Sequence, residues 1–464
     1  MEYFLYNVEK AIVVNSTKKE VFPMSILQQV PDKMQTIFQT LPEEAAVGVG
    51  LVERKRKLTG SALTQILVLG WLENPEASYQ YLTETAASLG IQGSRQALEQ
   101  RLTAETAEML KLTLEGAVTE MLEVSHPRQV PALLEEFSGV FVQDSTYIRL
   151  PDELHETWKG SPKKNHPQKT GLKLHLCFDV LTGGFQHFHL TDAVTADSTA
   201  MKTASPLPQG SLRLADLAYF SLDEFEKLTE NGIYWISRLK ANSYLSDETG
   251  ARLDLENMLK AEENTFSRKR IRIGKTKQLQ GYLIAQRLSE AETNKRRCSI
   301  RHRAKRKAQT PSKTLLRLAG WNLYMTNIEP HRLTPKQICA IVGIRWQIQL
   351  IFKCFKSLSK MHVSRIQKPY RILSEIYAKL IAVLIQNAVM LATGYRHIQH
   401  SFFKAARYII GFAREIAASF HHSKNQLRNT LKTIKQTFEK GGTFQRTLGK
   451  NTTFRKLKEA TENP

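Results

Sequence analysis

Three separated stretches of this chain carry residues able to hold a metal ion against a nucleic-acid backbone. Asp144 lies in the strand-like segment Val142-Gln-Asp-Ser-Thr146, and Asp216 ends another in Leu214-Ala-Asp-Leu-Ala-Tyr-Phe-Ser221. Carboxylates on neighbouring strands can share a hard cation such as Mg²⁺, which prefers oxygen ligands and keeps waters for a substrate phosphate. The third stretch, Ile341 to Lys356, has helical periodicity. At about 100° per residue, Val342, Arg345, Gln349 and Lys356 fall within roughly 60° of one another. Ile344, Ile348, Ile351 and Phe355 cluster on the opposite side, with Phe352 at the border between the two. One face can bury itself while the other offers Arg, Gln and Lys to a cleft.

Taken singly, an aspartate after a strand is a turn former or a helix cap, and a charged helix face is merely solvated. Composition argues for more. The 464 residues include 66 Lys and Arg against 44 Asp and Glu, a formal net charge of +22. An excess of this size favours a polyanionic partner, DNA or RNA before a membrane surface. With 42% hydrophobic residues the chain can build sizeable cores. Its four cysteines, Cys177, Cys298, Cys339 and Cys354, lack CxxC pairing, which argues against a disulfide framework or a structural zinc site and for a reducing cytoplasm. The start of the chain lacks the basic and apolar regions of a signal peptide. The most apolar run, Ile376 to Tyr395, contains Lys379, Gln386 and Asn387, and reads as a buried core helix rather than a membrane span.

The elements that must position these residues follow from periodicity. Residues 1–40 are ambiguous, and from Pro42 to Leu122 the pattern is helical. A helix from Ser61, a second from Tyr79 ending at Gly90, and a third capped by Ser94 make a helix-turn-helix-like series. Short helical pairs in a plain bundle give the same pattern. Ser125 to Pro131 reads as a linker, after which the period shifts toward two. Strands are expected from Gly139, from Leu174, in a hairpin across Thr182-Gly-Gly184, from Leu212 and from Ile233. Between the first two lies a polar Lys/His-rich loop, about 159–169. Ser221 with Glu224 suggests a capping box. Between Lys240 and Leu323 lies a strand-rich, basic insertion containing the Lys295–Lys307 run. Helical periodicity returns from 371 to about 437, and the polar tail after Gly441 is expected to fray.

These residues together resemble the DDE transposases of the insertion-sequence type four family. Asp144-Ser-Thr resembles that family's first Asp element, and Asp216-Leu-Ala-Tyr-Phe-Ser its second. Arg345-Trp-Gln-Ile-Gln-Leu-Ile-Phe-Lys-Cys-Phe-Lys356 matches the third signature (Tyr, two residues, Arg, three residues, Glu, six residues, Lys) in spacing and most identities. The resemblance spans about 60–430 and implies an α/β fold: an RNase H-like mixed-sheet core with a β-rich insertion and helical regions at both ends. The expected domains are helical 1–130 for binding DNA ends, core 131–240, insertion 241–328, core 329–370 and a helical 371–464.

By the same resemblance the activity is cut-and-paste transposition at inverted-repeat ends, with Mg²⁺ or Mn²⁺. A homodimer pairs the ends and inserts them into target DNA in the cytoplasm, at the nucleoid. Asp144, Asp216 and position 349 would hold metal. Arg345 and Lys356 would contact phosphates, Trp321 would stack on a flipped base, and Arg296, Arg297, Arg301 and Arg303 in the basic run would grip backbone. Two positions depart from the pattern. Val342 stands at the signature Tyr, and Gln349 at the Glu. Glutamine offers a neutral carbonyl oxygen, and its NH₂ cannot ligate. A non-catalytic DNA-binding protein derived from a transposase is therefore the alternative, with a structure-specific nuclease behind it.

Overall fold

Period-two alternation around Asp144 does produce a strand, and that strand lies third from one edge of a nine-stranded sheet. The computed structural model describes residues 26–51, 58–124, 130–160, 170–200, 206–240, 242–362, 364, 366–395, 400–440 and 453–462. Its strands are β1 (Val140–Arg149), β2 (Gly171–Asp179), β3 (Phe185–Asp192), β4 (Leu212–Ala215), β5 (Tyr234–Arg238), β6 (Leu245–Ser246), β7 (Phe266–Ile273), β8 (Leu279–Arg287) and β9 (Trp321–Thr326). They lie in the order β3-β2-β1-β4-β5-β9-β8-β7-β6. β1, β4 and β5 run parallel, and β2 and β3 form an antiparallel meander beside β1. β9 pairs antiparallel with both β5 and β8, so the strands between 241 and 328 extend the same sheet.

The β2–β3 hairpin turns at Thr182-Gly-Gly184, as its sequence predicts. Gly183 takes φ +75, a left-handed conformation that suits glycine. The Asp179 carboxylate closes this end of the sheet by accepting from the N–H groups of Val140, Leu181 and Thr182 and from the Thr182 hydroxyl. Four accepted hydrogen bonds repay much of the cost of burying that charge.

Helices cover the sheet. In the amino-terminal region they include Ile26–Gln35, Gly60–Glu73, Tyr79–Ser88, Arg95–Arg101 and Ala104–Leu122. Ser94 caps its helix as expected, accepting from Ala97 N–H. Ser221 caps Leu222–Glu230, but only the Ser half of the expected capping box is present. The helix Pro369–Thr393 is long and apolar enough to cross a membrane, yet it is almost wholly buried. It packs on Gly60–Glu73, Ala104–Leu122 and Lys424–Lys440. One contiguous core therefore runs from Ile26 to Leu457 and includes both terminal helical regions. A second core, around Phe225, Trp235 and Met325, fills the space near Leu222–Glu230.

Three expectations need correction. The insertion expected to be strand-rich carries its basic run on the helix Glu290–Arg306, started by a full Ser289–Glu292 capping box, and has helices at Leu255–Lys260 and Lys313–Leu318 besides. After Gly441 the chain forms the helix Thr453–Glu462, packed on Pro335–Val342, where fraying was expected. The single helix expected over 341–356 is two α-helices, Pro335–Val342 and Trp346–Ser357, joined by a tight 3-10 turn at Gly343–Arg345. Most of the expected linker (125–129) and of the Lys/His-rich loop (161–169) lies outside the described residues.

His175 on β2 is buried at 3% exposure. Burial holds its imidazole neutral, pushing the pKa from 6.5 down to about 4. The unfolded chain binds this proton near 6.5 while the folded one does not until about 4, so stability falls as pH drops through that window. From pH 6.5 to 5.5 this one group is expected to remove about 1 kcal/mol. Urea unfolding at the two pH values checks it. The His175→Asn protein should lack that share of the pH dependence, and an unchanged dependence would contradict the assignment.

Candidate active site

The parallel pairing of β1 with β4 sets Gln143 beside Ala215. The next residue on each strand path is an aspartate, so Asp144 and Asp216 emerge side by side. Asp144 is buried at 8% exposure. Its Oδ1 accepts from the Ser145 N–H at 2.9 Å. Asp216 stands just before a 3-10 turn, Leu217–Tyr219, without a side-chain cap bond to it, and keeps 40% of its side chain exposed.

The helix Trp346–Ser357 lies across this pair. Ile348, Ile351, Phe352 and Phe355 are buried in the core, as the apolar stripe predicts. The opposite arc brings Gln349 to the site, where its amide nitrogen donates to Asp144 Oδ2. Arg345, at the end of the 3-10 turn, places Nη1 3.4 Å from Asp144 Oδ2 and 3.5 Å from Asp216 Oδ1. One guanidinium thus stands between both carboxylates, with only 15% of its side chain exposed. Burial pushes the Asp144 carboxyl above its ordinary range, and the neighbouring Asp216 charge pushes the same way. The Ser145 N–H, Arg345 and Gln349 oppose them.

Two carboxylates converging on one positive charge form a donor set that suits a hard cation. Gln349 adds no charge here: its amide nitrogen faces Asp144, and its one oxygen is a neutral carbonyl. Among the described residues no group of three His, Cys, Asp or Glu side chains is arranged to hold a metal. Asp144 and Asp216 share the Arg345 guanidinium as their common counter-charge.

The other expected site residues are dispersed. Lys356 is exposed farther along the same helix. Trp321 packs with Leu323 toward a small core of Leu259, Ala285 and Leu318, with the Arg287 guanidinium over its ring at 4.9 Å. Strand alternation sends Asn322 and Tyr324 the other way, into a cavity of about 410 Å³ that also touches Arg345. Arg296 donates to the Trp321 carbonyl and the Asn322 side chain, and Arg297 to the Leu316 carbonyl, so both guanidinium groups have protein partners. Arg301 and Arg303 are exposed. Val342 lines the cavity in the place of the signature Tyr.

Sequence reasoning missed three residues around that cavity: Arg238, Lys336 and Trp346. Trp346 is 63% exposed beside Arg345. Its position off the buried arc of the helix was the available signal.

The model of the transposase DDE domain matches residues 135–385, from just before β1 into the buried helix Pro369–Thr393. The chain belongs to the DDE transposase family. It is 30% identical over 373 residues to the transposase for insertion sequence element IS231C of Bacillus thuringiensis subsp. berliner, covering 76% of this chain and 77% of that one. The IS231B transposase of the same source is 29% identical over 370 residues, 75% of this chain and 76% of its own. The transposase for IS1151 of Clostridium perfringens is 26% identical over 348 residues, 69% and 73% respectively. In this DDE-family chain the matched region contains Asp144, Asp216, Arg345 and Gln349 together.

Replacing Arg345 by Ala leaves two carboxylates facing each other without a cation. The expected loss is about 2 kcal/mol, below that for a fully buried pair because Asp216 is partly solvated. Millimolar Mn²⁺ should recover part of it. Thermal unfolding of Arg345→Ala with and without Mn²⁺ measures both, and a cation-independent melting temperature would contradict a shared carboxylate site.

Proposed function

We propose that this chain is built for metal-dependent cut-and-paste transposition, acting on the inverted-repeat ends of its own element and on target DNA. The observation that carries the reading is the meeting of Asp144 and Asp216 on one cation, the Arg345 guanidinium. The run β3-β2-β1-β4-β5, antiparallel then parallel, supports an RNase H-like core. On this reading residues 1–130 bind element ends, 131–240 and 329–370 form the catalytic core, 241–328 the insertion and 371–464 a helical support. A homodimer pairs the two ends, in the cytoplasm at the nucleoid.

Asp144 and Asp216 would hold Mg²⁺ or Mn²⁺, with the Gln349 carbonyl as a weak third donor. When bound, the metal supplies the charge that activates a water and steadies the leaving oxygen of a phosphodiester. The Ser145 N–H fixes the Asp144 carboxylate. Arg345 neutralises the carboxylates, and its fork of N–H groups also suits a scissile phosphate. Lys356, Arg301 and Arg303 are exposed and suited to backbone phosphates. The base-stacking role expected of Trp321 is better met by Trp346, whose ring is exposed beside Arg345.

The second reading, DNA binding without cleavage, rests on Gln349. A neutral amide in place of a carboxylate removes a first-rank ligand, and several kcal/mol of transition-state stabilisation can go with it. Cleavage of element-end DNA in Mg²⁺ by this chain and by Gln349→Glu separates the two. We expect the Glu protein to cut at least 100-fold faster. Equal and robust cutting would show that Gln349 does not impair the site. If neither protein cuts cognate ends, the enzymatic reading fails.

A further inference from the structure

The turn that carries Asp216 has no side-chain cap of its own. It is anchored instead from the far side of the sheet. Tyr219, three residues on, is 2% exposed, and its N–H donates to the Asp216 carbonyl at 2.9 Å. Its phenol oxygen lies 2.9 Å from His175 Nδ1. His175 Nε2 lies 3.0 Å from Thr191 Oγ1, and that hydroxyl donates to the Asp192 carbonyl at 3.2 Å.

The direction of this chain is fixed by its last link. Thr191 uses its proton on Asp192, so its oxygen must accept from His175 Nε2–H. A neutral imidazole then has only the Nδ1 lone pair left, which accepts from the Tyr219 hydroxyl. Burial keeps the imidazole neutral and the phenol protonated, the two states this direction requires.

The other aspartate lies one residue from a strand neighbour of the same network. Ser145 pairs with His175 across the β1–β2 ladder, so both side chains leave the same face. The Ser145 side chain therefore stands beside the His175–Tyr219 pair. The backbone N–H of Ser145 holds Asp144 Oδ1. Asp144 and Ser145 point to opposite faces of the strand. A buried hydrogen-bonded pair thus lies across the ladder from the residue that follows Asp144 and reaches to three residues from Asp216, behind the site.

We propose that His175 is a positioning residue: by accepting the Tyr219 hydrogen bond it sets the spacing between Asp144 and Asp216, so that the pair can share one divalent cation. This rests on the metal-site reading above. The β1–β2 ladder extends from Phe141↔Asp179 to Arg149↔Gly171 without the relay's help, so losing one hydroxyl should free the Asp216 turn while the sheet persists.

Hydrogen exchange followed by mass spectrometry tests the relay without metal or activity. In Tyr219→Phe, which keeps the ring, the segment 214–222 should exchange about 10-fold faster, with β1 and β2 unchanged. His175→Ala should do the same, the double variant should add little, and His175→Asn, which keeps an acceptor near Nδ1, should recover much of the protection. Mn²⁺ binding followed by electron paramagnetic resonance gives the functional readout in the Gln349→Glu background. There Tyr219→Phe should weaken binding about 10-fold. Exchange in 214–222 within twofold of the parent in both single variants overturns the proposal, as does loss of protection across the whole sheet. Absence of Mn²⁺ binding by the Gln349→Glu parent would instead refute the metal reading, with the exchange data still deciding whether the relay holds the turn.

Discussion

Two like charges held side by side need a compensating cation, and that requirement organises this molecule. Parallel pairing of β1 with β4 leaves Asp144 and Asp216 adjacent whatever the rest of the chain does. Asp144 is also nearly buried, so its charge is costly twice over: it loses water and it faces Asp216. The structure answers with Arg345 between the two carboxylates and with the Gln349 amide on Asp144. A divalent cation would answer the same electrostatic demand more strongly.

Keeping Arg345 and Gln349 in place falls to hydrophobic packing. The helix Trp346–Ser357 is fixed by Ile348, Ile351, Phe352 and Phe355, which belong to the core shared by the sheet and both terminal helical regions. The 3-10 turn at Gly343–Arg345 changes the helical phase just where the guanidinium must reach in. Behind the sheet, the Tyr219–His175 hydrogen bond ties the Asp216 turn to β2. The site is held from the front by packing and from the back by hydrogen bonds.

Much of this was legible in the residues. The hairpin at Thr182-Gly-Gly184, the Ser94 cap and the apolar arc of the helix from 346 are local patterns, and local patterns survive into the fold. What the sequence left open depended on partners distant in the chain. Alternation in β9 separates Trp321 from Asn322 and Tyr324, but which set faces Arg345 depends on the pairing of β9 with β5. Arg345 suited a phosphate on motif spacing alone. Its place between the aspartates needed the β1–β4 register. The basic run was read with the strands around it, although Ser289 and Glu292 already spelled a helix start. His175 carried no motif, and its role emerged only once β2 lay beside β1.

The central claim is that positions 144, 216 and 349 enclose one divalent-ion site. Bound Fe²⁺ with peroxide cleaves backbone within reach of the ion, so the cut sites map the ligands directly. The account predicts cuts clustered near residues 144, 216 and 345–349 in this chain, sharper in Gln349→Glu and suppressed by excess Mg²⁺. Cuts at only one of these segments, or scattered cleavage indifferent to Mg²⁺, would contradict it.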